Sequence, residues 1–437
     1  MTLLLLAALA PAASALEIPH EAYTLDNGLQ VVLAADDRLP QVVVDLWYAV
    51  GSLDDPAGRS GFAHLFEHLL FRGTQRIGEG EFDARMEAAG GWNNAWTSRH
   101  ETNYYSVGPS HALDLLLWLE ADRMTGLDIT QEKLDLEREV VRNERRQMVE
   151  DRPYGEAWLA IQEMAFPPGH PAGRSTIGTH EELMAATLED VRAFYETWYV
   201  PGNAILTVVG DFEPEAARAA IEATFGTLPA RPLPEGRALA WPDAPAEAHR
   251  RLTDEVSLPA VYLFWMSPAH FAPGDAAHDV LAHVLTGSED ARLSRRLQFE
   301  DRSVQGIDAA QYSGPEGSFF ILDAVVASDH EPEAVVAAIR EELSALAGER
   351  PPTEEEVERA QNHLELSLLY EAESFLGRAL LLATYQAVLG HPDHLAADVA
   401  RVRAVTPEEV RAVAERLIPG RGGRVDILPA PGEEASP

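Results

Sequence analysis

The strongest constraint on how this chain can fold is an interruption. From Leu228-Pro-Ala-Arg-Pro-Leu-Pro-Glu-Gly-Arg237 through Trp241-Pro-Asp-Ala-Pro245 the sequence is rich in proline and loses periodic pattern, as a linker does. The order of segments before the break partly returns after it. Leu258-Pro-Ala-Val-Tyr-Leu-Phe-Trp-Met266 resembles Leu39-Pro-Gln-Val-Val-Val-Asp-Leu-Trp47, and each is followed by a loop and an apolar helical stretch. At 437 residues the chain has room for two or three cores. The pattern predicts an α+β fold of two tandem duplicated domains, each a mainly antiparallel sheet packed with helices. Any two strand–helix units share some of this similarity, so the alternative of unrelated halves stays open. The predicted boundaries are residues 16–230 for the first domain, 231–249 for the linker and 250–437 for the second.

Within the first half, Val42 to Val50 reads as a buried strand, followed by a loop from Gly51 to Arg59 and a helix with Ser60 as a possible N-cap. A further strand is predicted over Thr102–Val107 and another over Ala204–Gly210. Helices are predicted over His111–Met124, Gln131–Glu150 and Glu213–Phe225.

The helix after Ser60, Gly61-Phe-Ala-His-Leu-Phe-Glu-His-Leu-Leu-Phe71, carries His64, Glu67 and His68 in the order H-x-x-E-H. At about 100° per residue these three fall within a roughly 100° arc. Phe62, Leu65, Phe66, Leu69 and Leu70 occupy the opposite side, so the helix packs an apolar face and turns the His-Glu-His face elsewhere. That face is either a solvated polar stripe or two metal ligands and a general base from one stretch of helix. The chain has no cysteine, so zinc here would need His and carboxylate ligands, the catalytic rather than the structural pattern.

Two histidines leave zinc short of a ligand. On the helix Gln131–Glu150, Leu134, Leu136, Val140, Val141 and Met148 define an apolar half, with Arg138, Glu139, Arg142, Arg145, Arg146 and Asp135 opposite. Glu137 and Glu144 break the rule, stacked on one line about 10.5 Å long inside the apolar half. A carboxylate there costs several kcal/mol unless a cation or donors compensate it. Ligation of zinc by one of them is the economical account. The alternative is two glutamates that reach the rim or bind backbone donors.

Together these residues resemble the pitrilysin/insulinase metallopeptidases, above all half-length members akin to processing peptidases. The match consists of His64-x-x-Glu67-His68, followed 76 positions after His68 by Glu144. Gly90-Gly-Trp-Asn-Asn-Ala-Trp-Thr-Ser98 resembles the family's G-G-x-x-N-A-x-T segment. Further landmarks are His170-Pro-Ala-Gly-Arg174 and Tyr199-Val-Pro-Gly-Asn203. The resemblance implies one Zn²⁺ per chain held by His64, His68 and Glu144, with Glu137 supporting the site from behind the ligands. It implies a zinc-dependent endopeptidase for unfolded peptides, in which Glu67 activates a water at the metal. Asn94, Ala95 and Thr97 would bind the peptide main chain along an edge strand. His100, His111 and His170 read as ordinary surface or loop histidines, and His283 as packing in the second half.

The same resemblance exposes a gap. Active members carry an Arg and a Tyr seven residues apart in the second half, where this chain has Gln298 and Gln305. Neither Arg302 nor Tyr312 keeps that spacing. The partner expected is therefore a paralogous metal-free subunit that supplies the Arg/Tyr pair, making a heterodimer; a self-sufficient homodimer is the weaker alternative. A rival from another class is a non-catalytic assembly or peptide-binding protein with a relic metal site. The intact Glu67 speaks against it, because a structural metal has no use for a base.

The 71 acidic against 34 basic residues give a net charge of −37, which argues against nucleic acid and anionic membranes as partners; it would attract basic peptides, or is no more than a solubility surface. Met1 to Ala15 reads as a signal peptide ending in Ala13-Ser14-Ala15, although no Lys or Arg precedes its apolar run. No later segment is long and apolar enough to span a membrane. The expectation is an exported, periplasmic protein.

Overall fold

The computed structural model describes residues 16–234, 236, 239–418 and 422–430; the expected signal peptide, residues 1–15, lies outside them. Runs of β-branched and aromatic residues form the strands, since such side chains pack well on a pleated surface. In the first half these are β1 (Glu21–Thr24), β2 (Gln30–Ala35), β3 (Gln41–Tyr48), β4 (Trp92–Thr97), β5 (Thr102–Pro109) and β6 (Ala204–Gly210). They form a six-stranded sheet in the order β1-β2-β6-β3-β5-β4. In the second half β7 (His249–Asp254), β8 (Ala260–Ser267), β9 (Val304–Tyr312), β10 (Ser318–Val326) and β11 (Gly423–Pro429) form a five-stranded sheet in the order β7-β11-β8-β10-β9.

Once β1 is set aside, the two orders coincide position by position. Each sheet has one parallel pair, β2 with β6 and β7 with β11, and is otherwise antiparallel. The strands β3 and β8, which carry the repeated sequence pattern, sit at the same place in the two sheets.

The helices of the first half are α1 (Phe62–Leu69), α2 (Glu81–Ala88), α3 (Leu113–Thr125), α4 (Gln131–Arg145), α5 (Ala157–Ala165), α6 (His180–Ala185), α7 (Leu188–Trp198) and α8 (Pro214–Thr224). Those of the second are α9 (Asp275–Thr286), α10 (Pro332–Ala347), α11 (Glu354–Glu373), α12 (Phe375–Leu389), α13 (Leu395–Arg403) and α14 (Pro407–Leu417). One helix crosses over from each half. Ala157, Ile161 and Met164 of α5 pack with Phe264, Phe319 and Ile321 of the second sheet. Phe375, Ala379 and Leu382 of α12 pack with Val43, Trp47 and Val209 of the first. This exchange covers the second face of each sheet and joins the halves by apolar burial.

Three local expectations need correction. Ser60 is not the N-cap of α1: Gly61 is, at φ +86°. Its carbonyl starts the helix, and the orphan amides of Gly61 and Ala63 are bonded by the carboxylate of Asp55, at 2.8 and 2.9 Å. The long helix predicted to Glu150 is α-helical only to Arg145 and then widens into a π turn over Arg146–Glu150. Its apolar face is also narrower than half a wheel. Leu136 and Met148 are exposed and Arg138 is buried, because α4 meets its neighbours along the Leu134–Glu137–Val141 stripe and the π turn carries Met148 off that line.

Candidate metal centre and its clefts

Helix α1 is held rigidly on its apolar side. Phe62, Leu65, Phe66 and Leu69 are fully buried or nearly so, and Phe66 stacks on Tyr199 at 5.2 Å. Its polar side faces α4 and the end of the edge strand β4. Among the described residues, His64, His68 and Glu144 are the one group of three potential metal-ligating side chains whose ligand atoms all lie within 4.8 Å of one another. Glu144 Oε2 lies 3.6 Å from His64 Nε2 and 3.2 Å from His68 Nε2. Ligands ~2.0–2.1 Å from a tetrahedral zinc ion sit about 3.3 Å apart, so the two separations from Glu144 are close to what such a site needs. The donor set of two imidazoles and one carboxylate suits zinc, and the residues therefore fit the metal that the sequence implies.

Glu137, one seven-residue step before Glu144, is 1% exposed and lies behind the histidines. One oxygen is 3.3 Å from His68 Nδ1, and the other pairs closely with Arg72. Neither oxygen makes a well-aligned hydrogen bond; both contacts are ion pairs. The position matches the carboxylate that orients a ligating imidazole and fixes its tautomer.

The protons are unevenly shared. Burial pushes the His64 pKa down to about 4, against the pull of Glu144. Burial also disfavours a charged His68, but the carboxylates of Glu137 and Glu144 beside its two ring nitrogens outweigh it and lift its pKa to about 9. The hydrogen bond from His68 in turn lowers the pKa of Glu144. The carboxylates thus favour a positive charge at His68, the place a divalent cation would take.

Glu67 is not part of the ligand group. Its Oε2 accepts a 2.7 Å hydrogen bond from Thr97 Oγ1, while burial raises its pKa and this bond opposes the rise. Thr97, expected from the sequence only as a main-chain contact for peptide, thus bonds Glu67, a contact that the sequence did not signal. Asn94 and Ala95 lie beside it on β4, the outermost strand of its sheet, with one edge free of strand partners among the described residues. Asn94 Oδ1 accepts from the Ala95 amide at 2.9 Å.

The site opens into two clefts. One, of about 360 Å³, is bordered by Glu67, His68, Arg72, Glu79, Asp83 and Glu137. The other, of about 750 Å³, runs from His64 and Glu144 past Met148 to α5 and reaches Tyr262, Tyr312 and Asp323 of the second sheet. This second wall was not foreseen, because its residues are far away in sequence. Gln298 and Gln305 border neither cleft; Gln298 Nε2 donates to the Gln305 carbonyl at 3.2 Å. Of the remaining histidines, His100 pairs with Glu316 at 2.9 Å, His170 stacks on Phe166 and His283 lies against His363. His111 is exposed.

A repeated sheet-and-helix unit, with a His–His–Glu cluster beneath an edge strand in one copy, defines the class of inverted-motif metallopeptidases. Residues 30–179 match the family described as Insulinase (Peptidase family M16), and residues 185–364 match the Peptidase M16 inactive domain. The chain belongs to the pitrilysin/insulinase (M16) family, as a half-length member. It is 37% identical to the zinc protease PqqE of Helicobacter pylori over 193 residues, 44% of this chain and 43% of that protein. An uncharacterized zinc protease of Streptomyces coelicolor is 28% identical over 424 residues, covering 94% of this chain and 90% of the relative. Among solved structures, a protease from Helicobacter pylori aligns with a TM-score of 0.88 at 27% identity, over 94% of this chain and all of that one (100%). The first half of the periplasmic protease PqqL from Escherichia coli shares the fold, with a TM-score of 0.76 at 20% identity over 94% of this chain and 92% of that one. Zinc use runs through the relatives' names, and no helix among the described residues is long and apolar enough to cross a membrane.

Proposed function

We propose that this chain is the zinc-bearing subunit of an endopeptidase for unfolded peptides. The observation that carries this reading is Glu67: a half-buried carboxylate beside the cluster, outside the ligand set, held by Thr97. His64, His68 and Glu144 would hold one Zn²⁺, with Glu137 orienting His68. When bound, zinc supplies Lewis-acid polarisation of the scissile carbonyl and makes a neighbouring water acidic near neutral pH.

Glu67 then takes the proton of the attacking water and returns it to the leaving amine; its raised pKa suits both directions of transfer. The free edge of β4, at Asn94, Ala95 and Thr97, binds the peptide as an added strand and reads main chain more than side chain. Residues 16–230 and 250–437 are read as duplicated domains, of which only the first kept the metal site. The matched strand orders of the two sheets support this. Export to the periplasm is part of the proposal and rests on the sequence of residues 1–15.

Gln298 and Gln305 lack the charge and the phenol that would stabilise an oxyanion, so a metal-free paralogue is proposed to supply the Arg/Tyr pair. Their distance from both clefts also suits the rival, a peptide-binding member with a relic metal. Assay of the zinc-loaded chain alone and with a co-expressed paralogue separates these readings. The proposal expects turnover only in the pair, abolished by Glu67→Gln. Full activity of the chain alone that survives Gln298→Ala and Gln305→Ala would sink the heterodimer. No turnover in either preparation would favour the relic.

A further inference from the structure

The larger cleft carries chemistry that the proposed hydrolysis does not use. Its wall opposite the metal centre comes from the second sheet, where Asp323 of β10 sits between Tyr262 of β8 and Asp308 of β9 in the strand register. Tyr154, Trp158 and Tyr312 line the same cleft, and Trp158 packs against Tyr312 at 4.9 Å. A partly buried carboxylate among four aromatic rings is the chemistry that binds an organic cation: the rings accept its apolar stem and present their faces to its charge, and the carboxylate pairs with its tip.

No cation is paired with Asp323 among the described residues. Burial and the nearby Asp308 carboxylate raise its pKa to about 6, so at neutral pH it is ionised but under-compensated. Arg152 lines the cleft too, yet its side chain is exposed and makes no ion pair with Asp323.

Resting on the peptidase reading above, we infer that this cleft is a specificity pocket for a lysine or arginine side chain of the peptide, with Asp323 as its recognition residue. The pocket is continuous with His64 and Glu144, so the basic residue would lie close to the bond that is cut. The chain's net charge of −37 favours the approach of such peptides. Selectivity for a basic side chain would then be set by the half that holds no metal.

The test uses the full zinc-loaded chain carrying Glu67→Gln, so that peptides bind without being cut. The probes are ten-residue peptides of one fixed sequence in which a single position, moved along the peptide, is Lys, Arg or the uncharged norleucine. Dissociation constants are read by calorimetry. At one position Lys and Arg should bind about tenfold tighter than norleucine, a factor worth ~1.4 kcal/mol. Asp323→Asn, checked for an unchanged melting temperature, should erase that factor and leave the norleucine affinity as it was. Asp323→Leu serves if the amide variant does not fold, and should favour norleucine. Peptides that bind with no basic preference, or a preference that survives both variants, would overturn the pocket and leave the peptidase reading intact. A preference lost with Asp323, together with no turnover by the zinc-loaded chain and its paralogue, would overturn the peptidase reading and keep the pocket. Absence of binding by every peptide would overturn both.

Discussion

Thr97 Oγ1 donates a 2.7 Å hydrogen bond to Glu67 Oε2, and this bond ties the edge strand offered to peptide to the base proposed to activate water. A peptide docked along β4 would thereby lie at a defined offset from the carboxylate. Thr97→Val should lower turnover about tenfold with little change in KM and none in zinc content, whereas Glu67→Gln should lower it by roughly 10²–10⁴ with zinc retained. Steady-state kinetics with metal analysis on the same samples checks both. A Thr97→Val enzyme of wild-type kcat would remove the tie.

Glu144 and Glu137 should separate cleanly in metal affinity. Glu144→Ala removes a proposed ligand and should leave the purified protein with little zinc. Glu137→Gln keeps the ligand set but weakens the hold on His68, and a loss of about 10–100-fold in affinity is expected. Competition with a chromogenic chelator measures it; equal losses in the two variants would contradict the assigned roles.

The start of α1 depends on a glycine. Gly61 has φ +86°, and a Cβ there would come within 2.8 Å of the Gly178 backbone, itself at φ +78°. Gly61→Ala should cost about 2–3 kcal/mol of stability and loosen the motif helix. Denaturant unfolding gives the number, and a loss below ~0.5 kcal/mol would show that the turn relaxes freely.

Asp45 offers a pH test away from the metal. It is fully buried on β3, and burial raises its pKa from 3.8 to about 8. Asn103 lies beside it without a well-aligned hydrogen bond. Between those pH values the folded protein keeps a proton that the unfolded chain releases, so the contribution of Asp45 to stability is greatest below about pH 4 and falls as pH rises towards 8. Asp45→Asn removes this term. The variant should gain at least ~1 kcal/mol relative to wild type between pH 4 and pH 8, with a flatter profile. Parallel unfolding curves for the two proteins would refute the assignment.

Much of the site was legible in the sequence because helix geometry is local. His64, Glu67 and His68 lie on one face by spacing alone, and Glu137 with Glu144 betrayed themselves as charges on an apolar stripe. That stripe was overdrawn. Leu136 and Met148 looked internal on a helical wheel, but burial depends on what the neighbouring elements cover, and a π turn moved Met148 to the cleft.

The two-part plan of the chain was also readable, since Leu39–Trp47 and Leu258–Met266 repeat one strand signature on either side of the proline-rich break. The coincidence of the two strand orders was not, because pairing is a long-range choice. The same holds for the exchange of α5 and α12 between the halves, for Asp55 at the head of α1 and for Thr97 on Glu67. Each depends on residues brought together by burying apolar faces rather than by spacing. The cleft wall at Asp323 is the extreme case, set against Glu144 by the packing of α5 on the second sheet. By itself the sequence determined the family and singled out the residues proposed as ligands. Only tertiary packing decided which side chains surround them, because contacts between distant segments follow from shared burial and leave no periodic trace in the chain.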